Sequence, residues 1–321
     1  MLSVDNGASL GGTALALQNA NAQVLHTTIV RHRATSPGAA LLVTYASTLT
    51  TVNTILVGHE TGIEASLYSQ ATMTATLWGA GMWANTTNWS VDSTSTLVTG
   101  TINLFDVPRF RHPNVGDFHL WPTSPAVDAG VATFVSIDGD GEPRPIGLAP
   151  DLGADEVPYQ DLDPNMDGEA EFIYTDTQGI EMKMHIPPES ITESIKLAIT
   201  RRDVITEPTP SRWRVAGLAF DMEAFTQGAF LPEETYQFQT PITMTIRYRD
   251  QDIIGIPEET LVLQFWDSQA HRWRDIAQDC NTTYRRFPVT NTLEVGVCHL
   301  SRFALMGIEA PLRVYLPAVL R

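Results

Sequence analysis

Four short threonine-led segments recur at nearly constant spacing through the N-terminal third of the chain: Thr28-Ile29-Val30, Thr54-Ile55-Leu56, Thr76-Leu77-Trp78 and Thr101-Ile102-Asn103. Their central apolar positions, Ile29, Ile55, Leu77 and Ile102, lie 26, 22 and 25 residues apart. The match widens around the middle pair, where Ser47 to Leu56 aligns with Ser69 to Trp78, and Gly38 before Leu41-Leu42-Val43 is echoed by Gly62 before Ile63. Short β-branched runs repeating every twenty-odd residues, with small residues at the turns, indicate a β-solenoid, because each repeat buries its apolar face only by stacking on its neighbours. Ile29, Ile55, Leu77 and Ile102 are expected to form one inward ladder, with the adjoining threonines favouring strand geometry. Trp78, Trp83 and Trp89 interrupt the pattern and are expected to thicken the core or edge a groove.

With 321 residues the chain is long enough for two domains of ordinary size. Twenty Lys and Arg against 37 Asp and Glu give a net charge of −17, with Lys183 and Lys196 the only lysines. Such a chain repels a phosphate backbone or an anionic bilayer, so nucleic acid is not an expected partner. No run approaches the roughly 18–20 apolar residues that span a membrane, so no transmembrane segment is expected. The start, Met1-Leu2-Ser3-Val4-Asp5, lacks the basic and apolar regions of a signal peptide, and a solenoid that opens in mid-pattern suggests missing upstream coils. Cys280 and Cys298 suit an oxidising compartment if paired and are two buried thiols if not.

After the repeats the pattern changes. Phe105 to Phe110, Gly116-Asp117-Phe118-His119-Leu120, Ser124-Pro125-Ala126-Val127-Asp128-Ala129-Gly130, Asp138-Gly139-Asp140 with Pro143-Arg144-Pro145, and Asp151-Leu152-Gly153-Ala154-Asp155-Glu156 follow in order. This set resembles the closing segment of bacterial right-handed parallel β-helix proteins over roughly residues 20–157. The resemblance implies a segment that follows the last coils and covers the open end, where apolar core and unpaired strand edges need protection. Asp138 and Asp140 are expected to brace a turn with Arg144.

Pro158 to Asp167 reads as an acidic, proline-bearing joint. Beyond it, strand-like runs at 179–186, 195–199, 242–248, 261–266, 293–297 and 303–306 alternate with turn signals and no long helix, which predicts an antiparallel β-sandwich. Ile186-Pro187-Pro188-Glu189-Ser190-Ile191, the run Pro241 to Tyr248, Leu263-Gln264-Phe265-Trp266-Asp267 and His299 to Met306 occur in the order of ZU5-like β domains. The last of these, with Trp273, Cys280 and Cys298, resembles more narrowly the cleavage region of GAIN-type autoproteolytic domains. That family carries two cysteine pairs, whereas this chain has at most one, Cys280–Cys298. The expected fold class is therefore all-β, with the terminal coils of a right-handed parallel β-helix and closing segment at 1–157. An acidic linker at 158–168, a ZU5-like sandwich at 169–310 and an apolar tail at 311–321 follow. The tail, Val314 to Arg321, reads either as a final edge strand or as a C-terminal tail like those of some secreted bacterial proteins.

Three chemistries are candidates. The GAIN resemblance implies self-cleavage at Leu300-Ser301, with His299 as base on the Ser301 hydroxyl and the resulting ester hydrolysed; the alternative makes both residues ordinary members of a last strand. Asp163, Asn165 and Asp167, with Glu171 beyond Gly168, match the opening of a calcium loop, but Tyr174 stands where the bidentate glutamate belongs; no other cofactor is expected. Carbohydrate chemistry needs paired carboxylates, and the coils offer only Glu60, Glu64 and Asp92 with Arg31, His32, Arg33 and His59; His59 and Glu60 read as a surface pair or as solvated turn residues. Asn85, Asn88 and Asn281 open glycosylation-type sequons. The role expected is that of a non-catalytic, monomeric structural or adhesive module, secreted or at the bacterial cell surface, touching glycan or cell-envelope components. The alternatives are a fragment of a β-helix polysaccharide lyase or glycosidase, and a self-processing module.

Overall fold

The computed structural model describes residues 2–4, 13–30, 38–176, 179–202, 204–226, 228–229, 231–233 and 236–310. Arg31, His32, Arg33 and the apolar tail at 311–321 lie outside the described residues, as do Met1 and Asp5 of the chain start. The chain divides into two compact units, 1–159 with 228–231, and 160–227 with 232–321. Nearly all regular structure is β.

The first unit holds strands β1 (Leu2–Val4), β2 (Leu15–Gln18), β3 (Asn21–Val30), β4 (Ala39–Thr44), β5 (Thr48–Val57), β6 (Thr61–Ala65), β7 (Gln70–Leu77), β8 (Thr87–Val91), β9 (Thr96–Thr99), β10 (Asn103–Leu104), β11 (Phe110–His112) and β12 (Asp117–Leu120). One parallel sheet runs β1-β3-β5-β7-β10 with β9 also on β7; a second runs β2-β4-β6-β8. Successive coils alternate between the two, which makes a β-solenoid of about three turns. At the corner entering the first sheet, the Oγ atoms of Ser47, Ser69 and Ser95 accept the backbone N–H groups of Ala20, Ser47 and Ser69. The connections leaving that sheet are unequal: a long one between Val30 and Ala39, a short one between Val57 and Thr61, and a long one between Leu77 and Thr87.

The middle alignment, Ser47 to Leu56 over Ser69 to Trp78, is the observed register, but the outer words are displaced. Thr28, not Ile29, stands beside Ile55, and Leu104, not Ile102, beside Leu77. Ile29 instead pairs with Leu56. Doubled threonines at 27–28 mask a one-residue slip, and in a strand one residue changes the face. Likewise Leu41 pairs with Ile63 and Ala39 with Thr61, so Gly38 and Gly62 are not equivalent. Each long strand bends at a residue of positive φ, His26 (44°), Asn53 (53°) or Ala75 (56°). Before the bend, three columns face outward: Asn21–Thr48–Gln70–Thr96, Gln23–Thr50–Thr72–Val98 and Leu25–Val52–Thr74. Ile29, Leu56 and Trp78 join Leu41, Val43, Leu49 and Ile63 in the solenoid interior.

Beyond the bend the outer side of the strands is itself apolar. Val30, Ile55, Val57, Ala75 and Leu77 form a second core with Phe110, Phe118, Leu120, Ala126, Leu152 and Val157 of the closing segment. That segment thus lies along the flank of all three coils, where the sequence reading had it over the open end. An outward Val-Ile-Leu surface needs cover as much as an end does. The contact is close: Gly153 N–H donates to Asn53 O (2.9 Å) and Ala154 N–H to Thr28 Oγ1 (2.9 Å). Gly153 has φ +95°, and a Cβ there would fall 2.5 Å from Thr28 Oγ1, so the approach requires glycine.

The second unit contains β13 (Tyr159–Leu162, from its second residue on), β14 (Ala170–Thr175), β15 (Glu181–Ile186), β16 (Ile195–Arg201), β17 (Trp213–Thr226), β18 (Gln237–Arg247), β19 (Val262–Asp267), β20 (Arg272–Asp275), β21 (Arg285–Phe287), β22 (Thr292–His299) and β23 (Arg302–Ile308). A six-stranded sheet runs β13-β16-β17-β23-β19-β20 and a five-stranded one β14-β15-β18-β22-β21. The paired strands are antiparallel, and inward residues of both sheets, among them Met184, Leu197, Phe220, Met244, Val295 and Phe303, share one core. The acidic joint is therefore not all linker: Tyr159–Leu162 forms an edge strand, with Leu162 buried in that core.

Candidate functional site

His299 ends β22, and the last turn before Cys280 is a single helical turn, α1 (Ile276–Asp279), capped by Asp275 accepting from Ala277 N–H at 2.9 Å. Cys280 and Cys298 are disulfide-bonded with Cα atoms 5.5 Å apart, which brings Asp279 beside His299. His299 Nε2 lies 3.3 Å from Asp279 Oδ2 and Nδ1 lies 3.3 Å from the Leu300 carbonyl oxygen. The ring packs edge-on to Phe265 at 4.6 Å. Ser301 Oγ donates to the Trp266 carbonyl oxygen at 3.3 Å and makes no hydrogen bond to His299. The backbone on either side is held in the sheets, Leu300 N–H by Tyr236 O and Ser301 O by Met222 N–H. His299 thus has one ring nitrogen facing Asp279 and the other facing the Leu300 carbonyl oxygen, while the Ser301 hydroxyl is turned to the Trp266 carbonyl. A surface depression of about 650 Å³ adjoins it, lined by Arg272, Trp273, Arg274, Asp275, Gln278 and Asp279.

Asp279 was not singled out in the sequence. The usable signal was its place directly before Cys280: a bridge to Cys298 necessarily juxtaposes the residues flanking both cysteines. Opening that bridge by reduction is expected to lower the second unit's stability by about 3 kcal/mol, the entropy of a loop of this size. Denaturant unfolding with and without reductant reads the difference; coincident curves would show the bridge to be dispensable.

Two carboxylates of the expected calcium loop, Asp163 and Glu171, have other partners. Asp163 Oδ1 accepts from Asn165 N–H (2.8 Å) and Nδ2 (3.0 Å), and Oδ2 accepts from Ser194 Oγ at 3.1 Å. Glu171 pairs with Lys183 at 2.6 Å across β14 and β15. Asp167 is not gathered with Asp163 and Glu171 into a ligand-forming group.

Acidic groups do converge in the closing segment. Ligand atoms of His119, Asp140 and Asp155 lie within 4.8 Å of one another, and so do those of Asp138, Asp140 and Glu142. His119 Nδ1 lies 2.6 Å from Asp117 and Nε2 lies 2.9 Å from Asp140. Hydrogen bonds to these two carboxylates push the imidazole up to about 11, so an imidazolium already supplies the positive charge here. Burial pushes Asp155 up to about 6, opposed by His119. Because the folded pKa of His119 exceeds its unfolded value, its contribution is complete below about 6.5 and is lost as pH rises towards 11. The His119 ring proton resonance is therefore expected not to titrate between about pH 6 and 9; a midpoint near 6.5 would contradict the clamp.

Other polar and charged groups of the first unit are braces. Arg144 pairs with Glu156 (2.7 Å, both side chains 1% exposed), not with Asp138 or Asp140 as the sequence suggested. Asp138 Oδ1 accepts three backbone N–H groups, from Asp140, Gly141 and Glu142, and Oδ2 accepts Glu156 N–H. His59 is neither a surface partner of Glu60 nor a solvated turn residue: it is buried, with Nε2 3.2 Å from Ile29 O. Asn85 is buried too, its amide bonding Leu56 O and Trp78 O, so that sequon is closed. Asp92 accepts from Leu67 and Thr94 N–H groups, and backbone donation holds it down at about 2. Among the described residues no helix is long and apolar enough to cross a membrane. No protein-family model matches the chain, and no curated protein matches it.

Proposed function

We propose that the chain is a non-catalytic structural or adhesive module, displayed outside the cell or on its surface. In this reading the end of a right-handed parallel β-helix is followed by a ZU5-like sandwich. The observation that carries it is the use of the buried carboxylates in the first unit. Buried Asp151 and Glu156, like half-buried Asp138, accept backbone N–H groups, and Glu156 also holds Arg144. Carboxylates committed to loop geometry are not available as the acid and base of a glycosidase. The test is incubation of the chain with neutral and acidic polysaccharides while released reducing ends are measured. None is expected; steady release would overturn the reading.

A second reading, self-processing at Leu300-Ser301, is favoured by the Asp279–His299–Leu300 O alignment. It requires the Ser301 hydroxyl to leave Trp266 O and find a base. Intact mass of aged protein decides it: a single 35.3 kDa species excludes cleavage, and two fragments that vanish in Ser301→Ala establish it.

A further inference from the structure

The three outward columns before the strand bends carry eleven side chains and not one charge, on a chain of net charge −17. None of the eleven is buried. The amides of Asn21, Gln23 and Gln70 and the threonine hydroxyls of these columns make no hydrogen bond to any described residue. A parallel sheet sets them on a grid of about 4.8 Å between strands and about 6.6 Å along them. The face is thus a repeating array of donors and acceptors whose hydrogen-bonding capacity is turned outward.

The corner that feeds this face adds apolar surface. Tyr45 is 58% exposed, Leu67 41% and Tyr68 75%, and the chain at 45, 46, 67 and 68 has positive φ, which fixes the turn. Each phenol presents an apolar ring with a polar tip. Asp92, one coil on at the same corner, has its carboxylate directed at the Leu67 and Thr94 N–H groups.

We infer that this corner and the columns beside it form a binding face for an extended neutral polysaccharide, with Tyr45 and Tyr68 stacking on sugar rings while the threonine and amide columns exchange hydrogen bonds with hydroxyls. The absence of charge selects the class: an acidic glycan would find no cation on this face and would meet the chain's overall negative field. A second copy of the chain is a poorer occupant, because the columns are mainly hydroxyl and amide, whereas the fully buried centres of stable dimer interfaces are apolar. The inference rests on the non-catalytic reading above, since a bound polymer must survive.

The experiment is affinity electrophoresis of the full chain in native gels containing hydroxyethylcellulose, glucomannan or dextran, with polygalacturonate as the acidic comparison. Retardation by at least one neutral polymer and none by polygalacturonate is expected. The double variant Tyr45→Ala/Tyr68→Ala should weaken the apparent Kd about tenfold, and Thr50→Asp/Thr72→Asp, which puts charge on the array, by at least as much. Val289→Ala, 99% exposed in the other unit, should leave it unchanged. Circular dichroism confirms that each variant is folded, and the two independent double variants guard against one that is not. No retardation by any neutral polymer, stronger retardation by polygalacturonate, or equal retardation of both face variants and the parent would overturn the inference. So would a concentration-dependent dimer that the face variants abolish. Reducing ends measured in parallel keep the two failures apart: release sinks the non-catalytic reading, and absence of binding without release sinks only this face.

Discussion

Glu156→Ala is expected to lower the stability of the first unit by about 3–5 kcal/mol, because it leaves a buried guanidinium without its counter-charge. Glu156 Oε2 accepts from Arg144 Nη1 (2.7 Å) and Asp151 N–H (3.0 Å), and Oε1 accepts from Ile146 N–H (3.0 Å). Alanine removes all three of these hydrogen bonds at once. Arg144→Met tests the converse: the carboxylate keeps its two backbone donors and can take a proton, for burial already pushes it above its ordinary range. Arg144→Met should therefore cost less at pH 5 than at pH 8, since its folded-state proton is bound more tightly than the unfolded chain's. Buried Asp151 follows the same sign, raised by burial and by the Glu156 charge. Urea unfolding of both variants at the two pH values is the measurement. A Glu156→Ala loss under about 1 kcal/mol would show that Arg144 finds water or another acceptor.

Trp78→Ala is expected to cost a similar amount, about 3–5 kcal/mol, for a different reason. Its indole is fully buried in the solenoid interior, 5.2 Å from the ring of Trp89, with Nε1 donating to Asn103 Oδ1 at 3.0 Å. Alanine leaves a cavity spanning two coils. Trp78→Phe should recover most of the loss and forfeit about 1 kcal/mol with the indole hydrogen bond. Chemical unfolding again provides the number. If alanine and phenylalanine were equally costly, the hydrogen bond and not the packing would dominate.

Trp78 also marks how far the sequence could be read. The repeat was visible, and the alignment of Ser47 to Leu56 with Ser69 to Trp78 was correct because two equal-length coil halves carry similar residues. The flanking coils misled, since Thr27-Thr28 offers two equally good matches and identity alone cannot choose between faces. The flank position of the closing segment was not legible, because an outward Val30, Val57 and Leu77 look the same in sequence as inward ones. In the second unit the alternating strands β15, β18 and β22 stood out. The longest, β17, did not: Trp213 to Thr226 mixes Gly217, three alanines, Asp221 and Glu223 without strict alternation, since parts of both its faces are covered. His299 and Ser301 were named, but their true partners, Asp279 and the Trp266 carbonyl, lie on other strands and turns.

The unequal connections leaving the first sheet have a consequence for how such a chain can vary. The ladders on both sheets and the serine hydrogen bonds at the opposite corner stay in step whether a coil takes the long path from Leu77 to Thr87 or the short one from Val57 to Thr61. One edge of the solenoid therefore absorbs length, as a hem takes up cloth, and extending a flexible loop costs little free energy for each added residue. Met82, 88% exposed at the tip of the Leu77–Thr87 connection, is the natural point to graft a peptide or an epitope tag without disturbing any ladder.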